Sequence, residues 1–203
     1  PLLGAENESL GHEITLYPSP DSSRSLWLVP ADQTIHPDVL DLDRNVWECA
    51  EILSGVAFLH GELLDMFVPQ MLNYESIGGV SFKKGCYPGQ EIVARSQFRG
   101  TLKRRLFIAQ VAKSDLQGDI VQELLHPGAE VFTGDDANDQ PSGVLVQAAL
   151  RPQGGAYLLL VLQIDAAETH HDDLHALNPR GIKLALQALP YDCLLYTSPS
   201  PRD

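Results

Sequence analysis

Cysteine is scarce in this chain, with three residues in 203, and none of them belongs to a CxxC pair. Cys193 falls in a C-terminal run set apart below, which leaves Cys49 and Cys86. Two thiols so far apart supply neither a zinc pattern nor a complete set of iron-sulfur ligands, and a reducing cytoplasm is the default for such usage. Long apolar runs are missing as well. The longest strong one, Ala156 to Leu162, is strand-sized against the roughly 20 residues a membrane helix needs, so no membrane partner is expected. There is no internal repeat, no long low-complexity tract and, over the residues from Pro1 onward, no signal-peptide pattern. Positive charge is the third shortage: 14 Lys and Arg stand against 27 Asp and Glu, a net charge of -13. What is present suffices for a core of ordinary size, since 44% of residues are hydrophobic and 7% aromatic, and the length allows one large or two small domains.

Against that acidic background, half of the cations crowd into one short stretch. Lys83, Lys84, Arg95, Arg99, Lys103, Arg104 and Arg105 lie within it, accompanied by the single acid Glu91. A fold gains nothing from clustering like charges, so the patch suggests an anionic partner: phosphate, a folate carboxylate tail or an RNA backbone. Lys83, Arg99, Lys103, Arg104 and Arg105 are taken as its anion-binding or RNA-binding members.

The same stretch holds a lone thiol among glycines. Gly85 and Gly89 flank Cys86 and permit positive backbone torsions or close approach of a ligand. Pro88-Gly89-Gln90-Glu91 predicts a turn feeding a short helix through about Gln97, which puts Cys86 near a helix N-terminus. The helix dipole and the neighbouring lysines favour a thiolate there. The alternative is that Cys86 is a small buried apolar residue, the common fate of a free cysteine.

Lys84-Gly85-Cys86-Tyr87-Pro88-Gly89-Gln90-Glu91 resembles the K-G-C-Y/F-x-G-Q-E signature of the YgfZ family, folate-binding proteins related to the aminomethyltransferase T-protein of glycine cleavage. The likeness extends through Phe67-Val68-Pro69-Gln70, Asn73 and Gly78 to Lys83 on one side. On the other it runs through Val93-Ala94-Arg95, Phe98-Arg99-Gly100 and Lys103-Arg104. It is weaker outside residues 46 to 107, although Ala188-Leu189-Pro190-Tyr191 is similar to the family's ending. The resemblance implies a cytoplasmic accessory factor that uses tetrahydrofolate or a derivative in assembling or repairing iron-sulfur clusters. Its clients would include radical enzymes that thiolate tRNA, with direct tRNA contact a further expectation. Cys86 takes the place of the signature cysteine, a reactive or cluster-contacting thiol. Lys84, Gly85, Tyr87, Gly89, Gln90, Glu91 and Arg95 form the implied cofactor-binding neighbourhood, and no resident metal is implied.

The expected fold class is α+β: the C-terminal part of a T-protein-like folate-binding region over residues 1–102, followed by a small antiparallel β-barrel over 103–192. Glu13–Leu16 and Ser25–Val29 read as a hairpin, and Asp43–Ser54 as a helix that buries Val46, Cys49, Ala50 and Leu53 and stops at Gly55. Short β-like runs follow at Arg105–Val111, Glu130–Thr133, Val144–Leu150, Ala156–Ile164 and Ile182–Leu186, separated by turn-forming residues. The start at Pro1 suggests a missing first portion that would carry much of the folate pocket. Residues 193–203 resemble sequencing-adaptor read-through, expected to extend away from the barrel.

Two rival functions remain open. A true aminomethyltransferase is one, but Leu53 stands where T-protein relatives carry a pterin-contacting glutamate, and leucine accepts no hydrogen bond. A folate-free RNA-binding module is the other, with Tyr87 or Phe98 stacking on bases. Whether the chain is an enzyme at all is undecided, an accessory role being preferred. Glu168, His170, His171, Asp172, Asp173 and His175 read as a solvated loop rather than a metal site, and Asp135, Asp136 and Asp139 as turn residues. His36, His60 and His126 stand alone.

Overall fold

The structure is a computed structural model that describes residues 12–16, 24–28, 30, 44–82, 84–98, 102–116, 118, 120–134 and 140–193. Strands β1 (His12–Thr15) and β2 (Ser25–Leu28) pair antiparallel, with His12 opposite Leu28. Helix α1 spans Arg44–Leu53 and α2 spans Gln90–Phe98, with 3-10 turns at Gly61–Leu63 and Pro69–Leu72 between them. The remaining strands are β3 (Arg104–Val111), β4 (Glu130–Thr133), β5 (Gly143–Leu150), β6 (Ala156–Gln163), β7 (Leu174–Ala176) and β8 (Ile182–Gln187). They close an antiparallel barrel in the order β3-β6-β5-β4-β7-β8, with β8 returning to β3. Short helices α3 (Ile120–Leu124) and α4 (Ile164–Thr169) add Leu124 and Ala167 to the core that β6 shares with the other strands. The architecture is α+β with a small barrel.

Strand β6 shows why one apolar run sits at the centre. Side chains alternate across a strand, and here both faces are covered. Leu158, Leu160 and Leu162 join one core with Val111, Val131, Leu145, Leu174 and Leu184, while Leu159 and Val161 join another with Ile52, Leu63, Leu72, Leu106 and Ile108. The first fills the barrel; the second cements α1 and the 61–72 segment to its outer wall. Two-sided burial removes the polar half of the usual alternation.

Helix α1 follows its amphipathic pattern with a rotation. Cys49 is buried as expected, but Ile52 takes the deepest position and Val46 stays 41% exposed. The helix ends where the sequence put the stop, at Gly55, whose φ of +67° is a left-handed torsion that favours glycine.

Strand β7 is the main departure. The acidic, histidine-rich stretch expected to be a loop, Glu168 to His175, is irregular only over 170–173: it takes in the end of α4 and runs into Leu174-His175-Ala176, with Leu174 and Ala176 buried and His175 between them. Three residues give too short an alternation to stand out among polar neighbours, yet β7 bridges β4 to β8 and completes the barrel. Asp135, Asp136, Asp139 and His36 lie outside the described residues, as do Lys83 and Arg99.

Candidate functional site

The signature segment lies on the surface, ahead of α2. Pro88 and Gly89 form the turn, Gly89 has a φ of +80°, and the helix begins at Gln90. The side-chain oxygen of Gln90 accepts from the Tyr87 amide at 3.3 Å, a local cap on the approach to the helix. Cys86 is exposed, three residues ahead of that turn's close, so the buried-thiol alternative does not hold. Lys84 turns its ammonium onto the Tyr87 ring, 4.5 Å from the centroid, a cation–π contact that leaves both groups at the surface. Gly85 and Gly89 have open space where a Cβ would stand. Glu91 and Arg95, one helical turn apart, pair at 3.1 Å on the exposed face of α2, the i,i+4 arrangement that steadies a helix modestly.

The cationic patch is smaller than its sequence count. Lys84, Arg95 and Lys103 are exposed and Arg104 is half-buried. Arg105 leaves the patch altogether: it is fully buried, paired with Glu75, and its Nη1 donates to the Gln70 carbonyl at 2.7 Å. Charge alone signalled Arg105 as a surface cation, whereas its partner lies 30 residues away in sequence.

Around Arg105 a buried polar cluster joins several elements. Gln70, at the second position of the 69–72 turn, sends its amide to the Val93 carbonyl in α2 at 2.7 Å. Asn73, buried and left-handed with a φ of +58°, donates to the Leu106 carbonyl at 2.9 Å. Tyr191 donates to the Gly55 carbonyl at 2.7 Å. Cys193, the one described residue of the 193–203 run, places its thiol 3.4 Å from the Asn73 side-chain oxygen, while the rest of that run lies outside the described residues. Burial pushes that thiol's pKa up, with Arg105 pulling it down and Glu75 raising it further. Sequence reasoning noted Gln70 and Asn73 only as part of a family likeness; polar residues inside an otherwise apolar pattern were the available signal.

Leu53 is half-buried in apolar contact with the outer core, so this position offers hydrophobic surface rather than a hydrogen bond. Sequence reasoning also missed a cleft of about 420 Å³ between α1, β5 and the turn after α3, walled by Trp47, Phe58, His60, Pro127 and Gln147. Gln147, which lines it, follows a register shift in β5 after Leu145, and its side chain accepts from the Phe58 amide at 2.7 Å. His175 contacts Asp173 at 3.0 Å, and no group of three or more metal-ligating side chains occurs among the described residues. Nor is any described helix long and apolar enough to cross a membrane.

No family model matches the chain. Individual proteins do. The tRNA-modifying protein YgfZ of Edwardsiella ictaluri is 33% identical over 149 residues, which cover 73% of this chain and 42% of that protein. The protein of the same name from Photobacterium profundum is 32% identical over 158 residues, covering 77% and 44%. A Haemophilus influenzae protein described only as uncharacterized is 34% identical over 146 residues, covering 71% and 48%. The chain thus spans less than half the length of these relatives. Similarity to several YgfZ proteins across most of its residues, together with the exposed signature segment, establishes that the chain belongs to the YgfZ family.

Proposed function

We propose that this chain acts in tRNA modification as a folate-dependent accessory factor, serving the assembly or repair of iron-sulfur clusters in tRNA-thiolating enzymes of the cytoplasm. The carrying observation is the placement of the signature segment. A thiol, an aromatic ring and cations are presented together at the surface, where a large partner can reach them. The names of the relatives support the tRNA connection; tetrahydrofolate and the cluster-bearing clients rest on the family resemblance. In this reading the α+β region ahead of the barrel is the C-terminal part of a T-protein-like folate-binding domain. Cys86 is the thiol that reacts or touches a cluster, and Tyr87, Gln90, Glu91 and Arg95 shape its surroundings.

The test uses a chimera in which this chain replaces the matching segment of the Photobacterium profundum relative, expressed in cells lacking their own YgfZ. Mass spectrometry of thiolated tRNA nucleosides should show restoration by the chimera and none by its Cys86→Ser form, because serine keeps the size but not the soft, ionisable sulfur. Full restoration by Cys86→Ser would refute a thiol role. Calorimetric titration of the chimera with tetrahydrofolate tests the cofactor separately.

The exposed cations also favour a second reading, a folate-free RNA-binding surface. RNA binding that weakens steeply with salt and ignores added tetrahydrofolate would support it.

A further inference from the structure

Among the described side chains of α2, very little apolar surface is buried. Val93 is its one buried hydrophobic residue among those described, while Ile92 is 61% exposed and Glu91 and Arg95 face solvent. Hydrophobic burial is non-directional, so one small side chain leaves both the rotation and the tilt of a helix loosely set. A directional contact is present in the hydrogen bond from the buried Gln70 amide to the Val93 carbonyl, 2.7 Å long.

Gln70 is itself clamped. Its main-chain oxygen accepts from Arg105 in β3, Arg105 is charge-balanced by Glu75, and Asn73 of the same turn donates to the next carbonyl of β3, that of Leu106. The Arg105 and Glu75 side chains are 0% and 3% exposed. An apolar pair of similar volume would fill this space without taking two charges out of water. A guanidinium, unlike an apolar group, donates at fixed angles to a carbonyl and a carboxylate at once. Direction is therefore what Arg105 supplies.

We propose that Arg105 and Gln70 are positioning residues: a buried relay from strand β3 through the 69–75 turn to the main chain of α2 sets the pose of the Cys86 segment on the barrel. The proposal deepens the reading of that segment as the working site, and its test is independent of what Cys86 does.

Gln70→Met in the 203-residue chain keeps the volume and the main-chain acceptor for Arg105 but removes the bond to Val93. Hydrogen exchange of the α2 amides should accelerate on the order of tenfold, the factor carried by one hydrogen bond, with exchange in β6 unchanged. In a Cys193→Ser background, a nitroxide label on Cys86 should show a more mobile spectrum in Gln70→Met than in its parent. The paired replacement Arg105→Met with Glu75→Met leaves no buried charge alone and should loosen α2 in the same way. Unchanged α2 exchange and an unchanged label spectrum in Gln70→Met would overturn the relay, as would an equal acceleration in α2 and β6, which marks general destabilisation. If the paired replacement keeps α2 fully protected, Arg105 has no part in it. A relay that holds in an otherwise Cys86-independent chimera would leave the geometry standing and the functional reading refuted.

Discussion

Tyr74 donates its hydroxyl to the Ala57 carbonyl, and burial raises its pKa above the ordinary 10.0. A raised folded-state value means that the stabilising contribution is complete below the unfolded pKa and is lost as pH rises through the folded one, since the unfolded chain sheds the proton first. The difference in urea-unfolding free energy between the parent and Tyr74→Phe should therefore be flat at neutral pH and shrink above about pH 10. A difference that grows with alkaline pH would contradict that assignment. Glu75 carries a heavier consequence. Glu75→Ala strands the Arg105 charge in the interior, and the cost should be about 3–5 kcal/mol by urea unfolding. Gly55 is constrained in two ways, by its positive φ and by the Tyr191 ring, whose Cε1 would lie 2.7 Å from an added Cβ. Gly55→Ala should destabilise by roughly 1–3 kcal/mol, and removing the ring with Tyr191→Ala should relieve only the steric part. Nothing local in the sequence announces such pairings. Arg105 reads as one more cation in a cationic stretch because Glu75, the residue that buries it, is contributed by a distant turn.

Among the elements, legibility followed the strength of the local pattern. The strands β3, β4, β5, β6 and β8 were readable because apolar and β-branched runs of four to eight residues stand between turn-forming stretches. The start of α2 was readable because Pro88 and Gly89 both favour a turn, and the exposed thiol ahead of it lies where that turn implies. Strand β7 was not readable, since three residues carry no usable period. The facing of α1 was only partly so: periodicity identifies a helical face but not which residue at its margin goes deepest, and packing against Leu159 and Val161 chose Ile52. Ile52→Ala should accordingly cost about 2–5 kcal/mol, against a few tenths for Val46→Ala on the exposed side, measured by thermal or urea unfolding. Comparable losses at the two positions would show that α1 is seated differently. Alkylation offers a quicker check on the same elements. Iodoacetamide should modify Cys86 long before Cys49, which is buried and directs its thiol to the Leu150 carbonyl at 3.4 Å.

For the molecule as a whole, the 61–75 segment and the residues after β8 tie the barrel to α1. Tyr191 reaches back to Gly55, 136 positions earlier in the chain, and Leu189 packs against the same outer core as α1. A chain ending at Pro190 should therefore unfold at a lower urea concentration than one ending at Cys193, by an amount comparable to Tyr191→Ala. Equal midpoints would mean that this contact adds nothing to stability. The closure of β3 on β8 has a consequence of another kind. Every barrel strand has a strand neighbour on both sides, although β4 meets β5 only at Glu130 and Val131 and β8 meets β3 only over Ile108–Gln110, so no described barrel strand presents a whole unpaired edge. A partner finds no full-length edge there to extend with its own strand, and two copies find none along which to zip together, the route by which open sheets recruit peptides or aggregate. Recognition on this half of the molecule must be written in side chains and in loop ends.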